Sequence, residues 1–348
     1  MKIKSLQISN FKSFRSIDLH LSDFNVLVGQ NASGKSNFLN IFRFIRDIVT
    51  DGLENAISMQ GGIEFLRNMA LAKEVDKMHF RVVVDADNTA FASKRNIKTE
   101  FVMQDFMLEF ILQFDRQNTE YSIVQDRLVK TFEVFHRSTA AEGKIVSKGM
   151  CHLHVNNVNS MLTISLDNRS SIKKLTIEDF YPLDAIPTKV FPQNSKNKKL
   201  LIESDLYFIN NLLNLKSFFE DTSIYFFETS LPKQAASVAG KAELEENGEN
   251  LALVLRRILT DEDKKRALFN LVRHVLPFIE KIDVTRYLNK YLQIVLKETY
   301  SSAGNVPSFL MSDGTIILLA LIIAIYFEQK PLSIFDEPER SIHPYLIS

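Results

Sequence analysis

Apolar and polar positions alternate along the first part of the chain. The segment Lys2 to Asn10 does so, and in Ser16 to Leu21 the residues Ile17, Leu19 and Leu21 interleave with Asp18 and His20. Successive strand side chains point to opposite faces, so this pattern predicts two half-buried strands. The β-prone apolar run Phe24 to Val28 predicts a third, buried one. The period then changes. Phe38, Ile41, Phe42, Ile45, Ile48 and Val49 fall at helical spacing, and Asp51-Gly52 supplies a stop.

From Met78 to about Asp167 β-rich runs return: His79 to Val84, Phe106 to Phe114, Tyr121 to Val134 and Leu162 to Leu166. Short polar turns separate them, which predicts an antiparallel meander inserted into the fold. Residues 182–200, with Pro182, Pro187, Pro192, Lys196, Lys198 and Lys199, read as an exposed connection whose basic cluster is solvated. Helical signals begin at Leu206, pause for a strand at Ser223 to Phe227, and continue through Asn250 to Leu259 and Asp261 to Val275. The apolar run Ile316 to Phe327 is shorter than the ~20 residues of a membrane helix and predicts a buried one. Leu332 to Phe335 predicts a last strand. Three segments result: an N-terminal lobe over 1–77, a β-rich lobe with its connection over 78–200, and a mainly helical lobe over 201–348.

Lys and Arg together number 42 and Asp and Glu also 42, so no global positive field advertises nucleic acid; local contacts stay open. A single cysteine, Cys151, excludes an internal disulfide framework, and MKIKSLQISN lacks the apolar core of a secretory signal. The expectation is a cytoplasmic protein without a membrane segment. Sustained heptads are absent, which argues against a long coiled-coil arm. In Cys151-His152-Leu153-His154 the two imidazoles share one strand face and the thiol takes the other. One metal cannot readily bind all three, so a solvent-facing strand is the better reading.

The chemistry concentrates in three short stretches. Gly29-Gln30-Asn31-Ala32-Ser33-Gly34-Lys35-Ser36-Asn37 fits G-x-x-x-x-G-K-S between a predicted strand and a predicted helix. Such a loop offers backbone N–H groups and a helix N-terminus to phosphates. Lys35 adds a point charge, and the Ser36 hydroxyl is a ligand for Mg²⁺. Far downstream, the strand Leu332 to Phe335 ends in Asp336-Glu337-Pro338-Glu339. Two carboxylates at a strand mouth suit metal binding by Asp336 and water activation by Glu337. Between these lies Met311-Ser312-Asp313-Gly314-Thr315, where Ser312 is an N-cap and Gly314 exposes backbone at a second helix start.

This order, closed by Ile342-His343-Pro344, resembles the ABC-type ATPase head of the RecF/SMC/OLD-like class, especially ATP-binding proteins of bacterial anti-phage and overcoming-lysogenisation systems. The opening LQISNFKSF resembles the first strand of such heads, and Asn247-Gly248-Glu249-Asn250-Leu251 resembles their helical-lobe motif. The resemblance implies an α/β P-loop NTPase head with a mixed sheet, an inserted antiparallel β-lobe and a helical lobe, which uses ATP and Mg²⁺. It implies that Gly29 to Ser36 form the Walker A loop and Ser312 to Thr315 the signature loop. Asp336 and Glu337 would form Walker B, and Ser341 to Pro344 the loop crossing a dimer interface. Gln234 is implied as the Q-loop glutamine, with Lys12 or Arg15 near the nucleotide.

The implied assembly is a homodimer or higher oligomer in which Ser312 and Gly314 of one copy close over ATP held by Lys35 of the other. A separate effector protein, such as a nuclease, would be controlled by it, because no acidic nuclease segment of the OLD type is read in this sequence. The switch histidine of such heads is not read either, since His343 stands too near Glu337. An ATPase and a non-hydrolysing ATP-gated scaffold therefore both remain open. A transporter motor subunit fits less well with the LQISNFKSF opening and the inserted β-lobe.

Overall fold

The structure is a computed structural model that describes residues 1–71, 75–86, 88–93, 99–137, 145–158, 161–172, 175–180, 198–204, 212–300 and 304–342. The chain divides into two compact units, Met1–Asp221 and Thr222–Ser348. The fold is mixed α/β with a large antiparallel sheet.

The first unit is built on strands β1 (Lys2–Phe11), β2 (Phe14–His20), β3 (Lys77–Asp85), β4 (Ala90–Ala92), β5 (Thr99–Phe114), β6 (Tyr121–Arg137), β7 (Ile145–Val158) and β8 (Met161–Asn168). They form an eight-stranded sheet in the order β2-β1-β3-β5-β6-β7-β8, with β4 on β5. An antiparallel meander is present as expected, with β4 and β7 beyond the predicted runs and β5 longer than its run. It is also continuous with the N-terminal hairpin, because β1 pairs antiparallel with β3, placing Ile8 opposite Phe80. One face is apolar: Phe80 and Phe110 stack at 4.9 Å, and Phe91, Phe101, Phe132 and Phe180 form a ring cluster. Much of the chain's phenylalanine is spent on this face, where a flat ring fills the gap above a pleat.

Helix α1 (Lys35–Asp51) buries Ile41, Phe42, Phe44, Ile45 and Ile48, with the Phe44 ring 5.8 Å from that of Phe11 in β1. It stops at Gly52, whose N–H still closes the helix on the Ile48 carbonyl and whose positive φ of 87° then turns the chain out of it. Two short helices follow, α2 (Leu53–Met59) and α3 (Ile63–Leu66), and α4 (Leu212–Glu220) ends the unit.

Phe24 to Val28, expected as a buried strand, belongs to no strand and is exposed, Phe24 by 81% and Val28 by 86%. The cause lies just before it. The Leu21 N–H makes a last rung to the Lys4 carbonyl, and then the Asn25 side chain accepts from the Ser22 N–H and donates to its carbonyl. That side-chain turn takes the chain off the sheet.

The second unit contains β9 (Ser223–Tyr225), β10 (Ala236–Ser237), α5 (Leu251–Thr260), α6 (Glu262–Val275), β11 (Ile279–Tyr287), β12 (Tyr291–Glu298), β13 (Asn305–Pro307), α7 (Asp313–Tyr326) and β14 (Ser333–Phe335). Its antiparallel sheet runs β10-β12-β11, with β13 on β12, while β14 pairs in parallel with β9. Asp261 caps α6 by accepting from the Asp263 and Lys264 N–H groups. The core gathers on α7: Ile316, Leu319, Ala320 and Ile323 pack among Leu251, Leu255, Leu268, Val272, Ile282 and Ile294. Deleting such a side chain costs roughly 2–5 kcal/mol. The helix is buried as expected except at its end, where Ile325 and Tyr326 are exposed. Among the described residues no helix is long and apolar enough to cross a membrane.

His343, Pro344 and residues 182–197 of the connection, with Pro182, Pro187, Pro192 and Lys196, lie outside the described residues. Lys198 is described and sits over the Tyr121 ring, 5.4 Å from its centre.

Candidate functional site

The glycine loop begins where the Ser22–Asn25 turn releases the chain. Ala32 is left-handed at φ 65°, a turn closes from the Ser33 N–H to the Gln30 carbonyl, and Gly34 follows at φ 100° as the N-cap of α1. No side chain caps this helix. Among the described residues the N–H groups of Lys35, Ser36 and Asn37 have no protein acceptor, so the positive end of the helix is open.

Both glycines sit close against their neighbours, and Gly34 also needs its left-handed backbone. A Cβ at Gly29 would lie 2.6 Å from Ser33 Oγ, and one at Gly34 would meet Ser13 Oγ at 3.0 Å and the Phe14 ring at 3.3 Å. The loop is thus held against the β1–β2 hairpin, and the Asn37 amide adds a bond to Ser13 Oγ at 2.9 Å. Lys35 curls over the loop, its Nζ donating to the carbonyls of Gly29 (2.7 Å) and Gln30 (3.0 Å). Gln30, Asn31, Ala32 and Ser36 are exposed. Open donors, an ammonium group and close backbone approach fit a bound phosphate. Of the two cations expected nearby, Lys12 is half-buried, its Nζ faces the Gln60 carbonyl, and burial pushes its pKa down; Arg15 is exposed on β2.

The Ser312 turn is finished differently. Ser312 Oγ accepts from the Thr315 N–H at 3.1 Å and lies 2.7 Å from Thr315 Oγ1, which makes it the cap the sequence predicts. Asp313 pairs with Lys233, and a Cβ on Gly314 would meet the Ser341 carbonyl at 2.9 Å. Lys233 is absent from the sequence reading, and Ser341, expected only as part of an interface loop, is not tied there to Gly314, since nothing local links a residue to a partner dozens of positions away.

At the end of β14 the ladder continues for one rung, from the Asp336 N–H to the Tyr225 carbonyl at 2.9 Å. Glu337 then takes a left-handed backbone, φ 48°, and is exposed. The chain turns back through bonds from the Arg340 N–H to Glu337 O and from the Ile342 N–H to Glu339 O. Ser341 at φ 66° ends the turn against Gly314. Gln234 is exposed in the loop before β10, its N–H on the Leu231 carbonyl. The helical-lobe motif forms a tied loop: the Asn250 side chain accepts from the Glu245 N–H and donates to the Glu243 carbonyl, each at 2.8 Å. Gly248 is left-handed there at φ 77°.

On β7, His152 and His154 share a face with ring centres 6.4 Å apart. His152 Nδ1 pairs with Thr131 Oγ1 and His154 Nδ1 with Arg127. Cys151 points into the core, and burial pushes its thiol up to about 12.

A segment of 47 residues is 40% identical to "Endonuclease GajA" of Bacillus cereus (strain VD045). The match spans 14% of this chain and 8% of that protein. The profile described as "AAA domain, putative AbiEii toxin, Type IV TA system" matches residues 24–152 and 169–348. The glycine loop, Ser312 to Thr315 and Asp336-Glu337 all fall within that match, and the chain belongs to this AAA-domain family of P-loop NTPases.

Proposed function

We propose that this chain is an ABC-type ATPase head that dimerises around Mg-ATP and so controls a separate effector protein in DNA-related or anti-phage defence. One observation carries the reading: a single chain holds two helix N-termini of opposite construction, an open one at Lys35 and a self-capped one at Ser312. An open turn grips phosphate as its primary site. A self-capped turn suits a supporting contact, made to nucleotide already held elsewhere.

In this account the Gly29–Asn37 loop binds the phosphates through its N–H groups and Lys35, while the Ser36 hydroxyl and the Asp336 carboxylate hold Mg²⁺. The metal would neutralise charge on the phosphate oxygens. Glu337 orients the attacking water and accepts its proton. Ser312 and Gly314 contact nucleotide held by Lys35 of a second copy, and Gln234 lines the same site. The defence context is supported by the toxin–antitoxin description of the family and by the local similarity to an endonuclease.

Light scattering with and without Mg-ATP, alongside steady-state phosphate release, tests the proposal. The expected result is an ATP-dependent rise from monomer to dimer mass, with slow turnover. Dimerisation without phosphate release selects the non-hydrolysing scaffold. ATP binding without any change in mass contradicts the shared-site reading.

A further inference from the structure

The Ser312 turn carries a charge problem. Asp313 is the first residue of α7, next to the cap. A carboxylate there suits the helix dipole, yet it also stands where a phosphate would approach the same N–H groups. Two like charges a few ångströms apart repel, more strongly as water is excluded. The same unit supplies an answer. Lys233, eighty residues earlier in sequence, places its ammonium group on Asp313 Oδ1, and its side chain is only 18% exposed.

The Lys233 backbone is fixed as well. Its carbonyl accepts from Ser308 Oγ at 2.6 Å, and Ser308 is fully buried immediately before the turn. The ammonium is therefore delivered from a tethered residue rather than from a free surface chain. An ordinary exposed ion pair contributes little to stability. Asp313 is half-exposed, so the pair has small value as a structural link, and its consequence is electrostatic.

We infer that Lys233 is a positioning residue that cancels the charge of Asp313, so that the Ser312 turn accepts nucleotide phosphate. The inference rests on the proposed role of that turn and names what regulates it. Lys233 holds the carboxylate to one side and lowers the negative potential that incoming phosphate meets. It does so without touching the reacting atoms.

The test is the ATP concentration at half-maximal dimerisation, measured by light scattering on the full chain. Lys233→Met should raise it about tenfold at low salt, and the shift should shrink as ionic strength rises. Lys233→Arg, which keeps the charge, should restore the response. The decisive variant combines Lys233→Met with Asp313→Asn. Charge cancellation predicts that removing the carboxylate rescues the missing ammonium, returning the midpoint to within about threefold of wild type. A structural link predicts no rescue, because the double variant also lacks the pair.

A double variant as defective as Lys233→Met, with thermal unfolding like wild type, overturns the inference. So does a Lys233→Met midpoint that matches wild type. If wild type binds ATP in a Lys35-dependent way but never dimerises, the shared-site reading fails, and this inference falls with it.

Discussion

Helices α1 and α7 both start at glycine-containing turns, and the two are built in opposite ways. Before α1 the N-cap is a left-handed glycine without a side chain, the first N–H groups lack acceptors among the described residues, and Lys35 bonds to the loop's own carbonyls. Before α7 the N-cap is a serine that satisfies the Thr315 N–H, Asp313 is paired, and the Ser341 carbonyl covers Gly314. The difference teaches which turn can bind first. Three N–H groups left open by their own fold gain from an anion, whereas a turn whose Thr315 N–H is already capped offers fewer free donors and gains less until another group brings the anion to it.

The sharpest way to break this comparison is at Lys35. On the proposed reading, Lys35→Ala removes the one charge in the open turn and abolishes binding of a fluorescent ATP analogue in titration. Unchanged affinity in a folded variant would remove the glycine loop from the account. Next in size comes Glu337. Glu337→Gln keeps shape and hydrogen bonding but not basicity, so steady-state turnover should fall by about 10²-fold while analogue binding persists. Equal turnover in variant and wild type would reject its role.

Two smaller effects sharpen the contrast between the turns. Gly34→Ala forces a left-handed side chain against Ser13 and Phe14, and should lower both ATP affinity and stability, the latter by roughly 1–2 kcal/mol in urea unfolding. Ser312→Ala removes only a cap. It should cost about 1 kcal/mol of stability in the same assay and leave analogue binding by the isolated monomer unchanged. Were Ser312→Ala to abolish monomer binding, the ranking of the turns would be reversed.

Where local period decides, the sequence is readable. Helix α1 spans the expected residues and stops at Gly52, β3, β6 and β8 overlap the predicted runs while β5 begins earlier at Thr99, and the cap at Ser312 holds. Glycine positions in the loop were also legible, since close backbone approach at Gly29 and Gly34 is a local property of the motif.

Pairing between distant segments was not. Nothing in Lys2 to Phe11 announces that β1 continues the meander through β3. The β11–β12 hairpin was missed because its turn uses left-handed Leu288 and Asn289 rather than glycine. Phe24 to Val28 has the composition of a buried strand, yet the side-chain turn at Ser22 and Asn25 decides its course. Lys233 and Asp313 are invisible as a pair, since charge at either position reads as ordinary surface.

The central claim is that the open turn of one copy and the capped turn of another serve the same nucleotide. Mixing two defective variants tests it directly. Lys35→Ala retains a sound Ser312 turn, Ser312→Arg retains a sound Lys35 loop, and a mixed dimer brings those two together in one site of two. Light scattering with Mg-ATP should show no dimer for either variant alone and recovered dimer for the equimolar mixture. No recovery in the mixture, with both variants folded and the wild type dimerising, would contradict a site shared between copies.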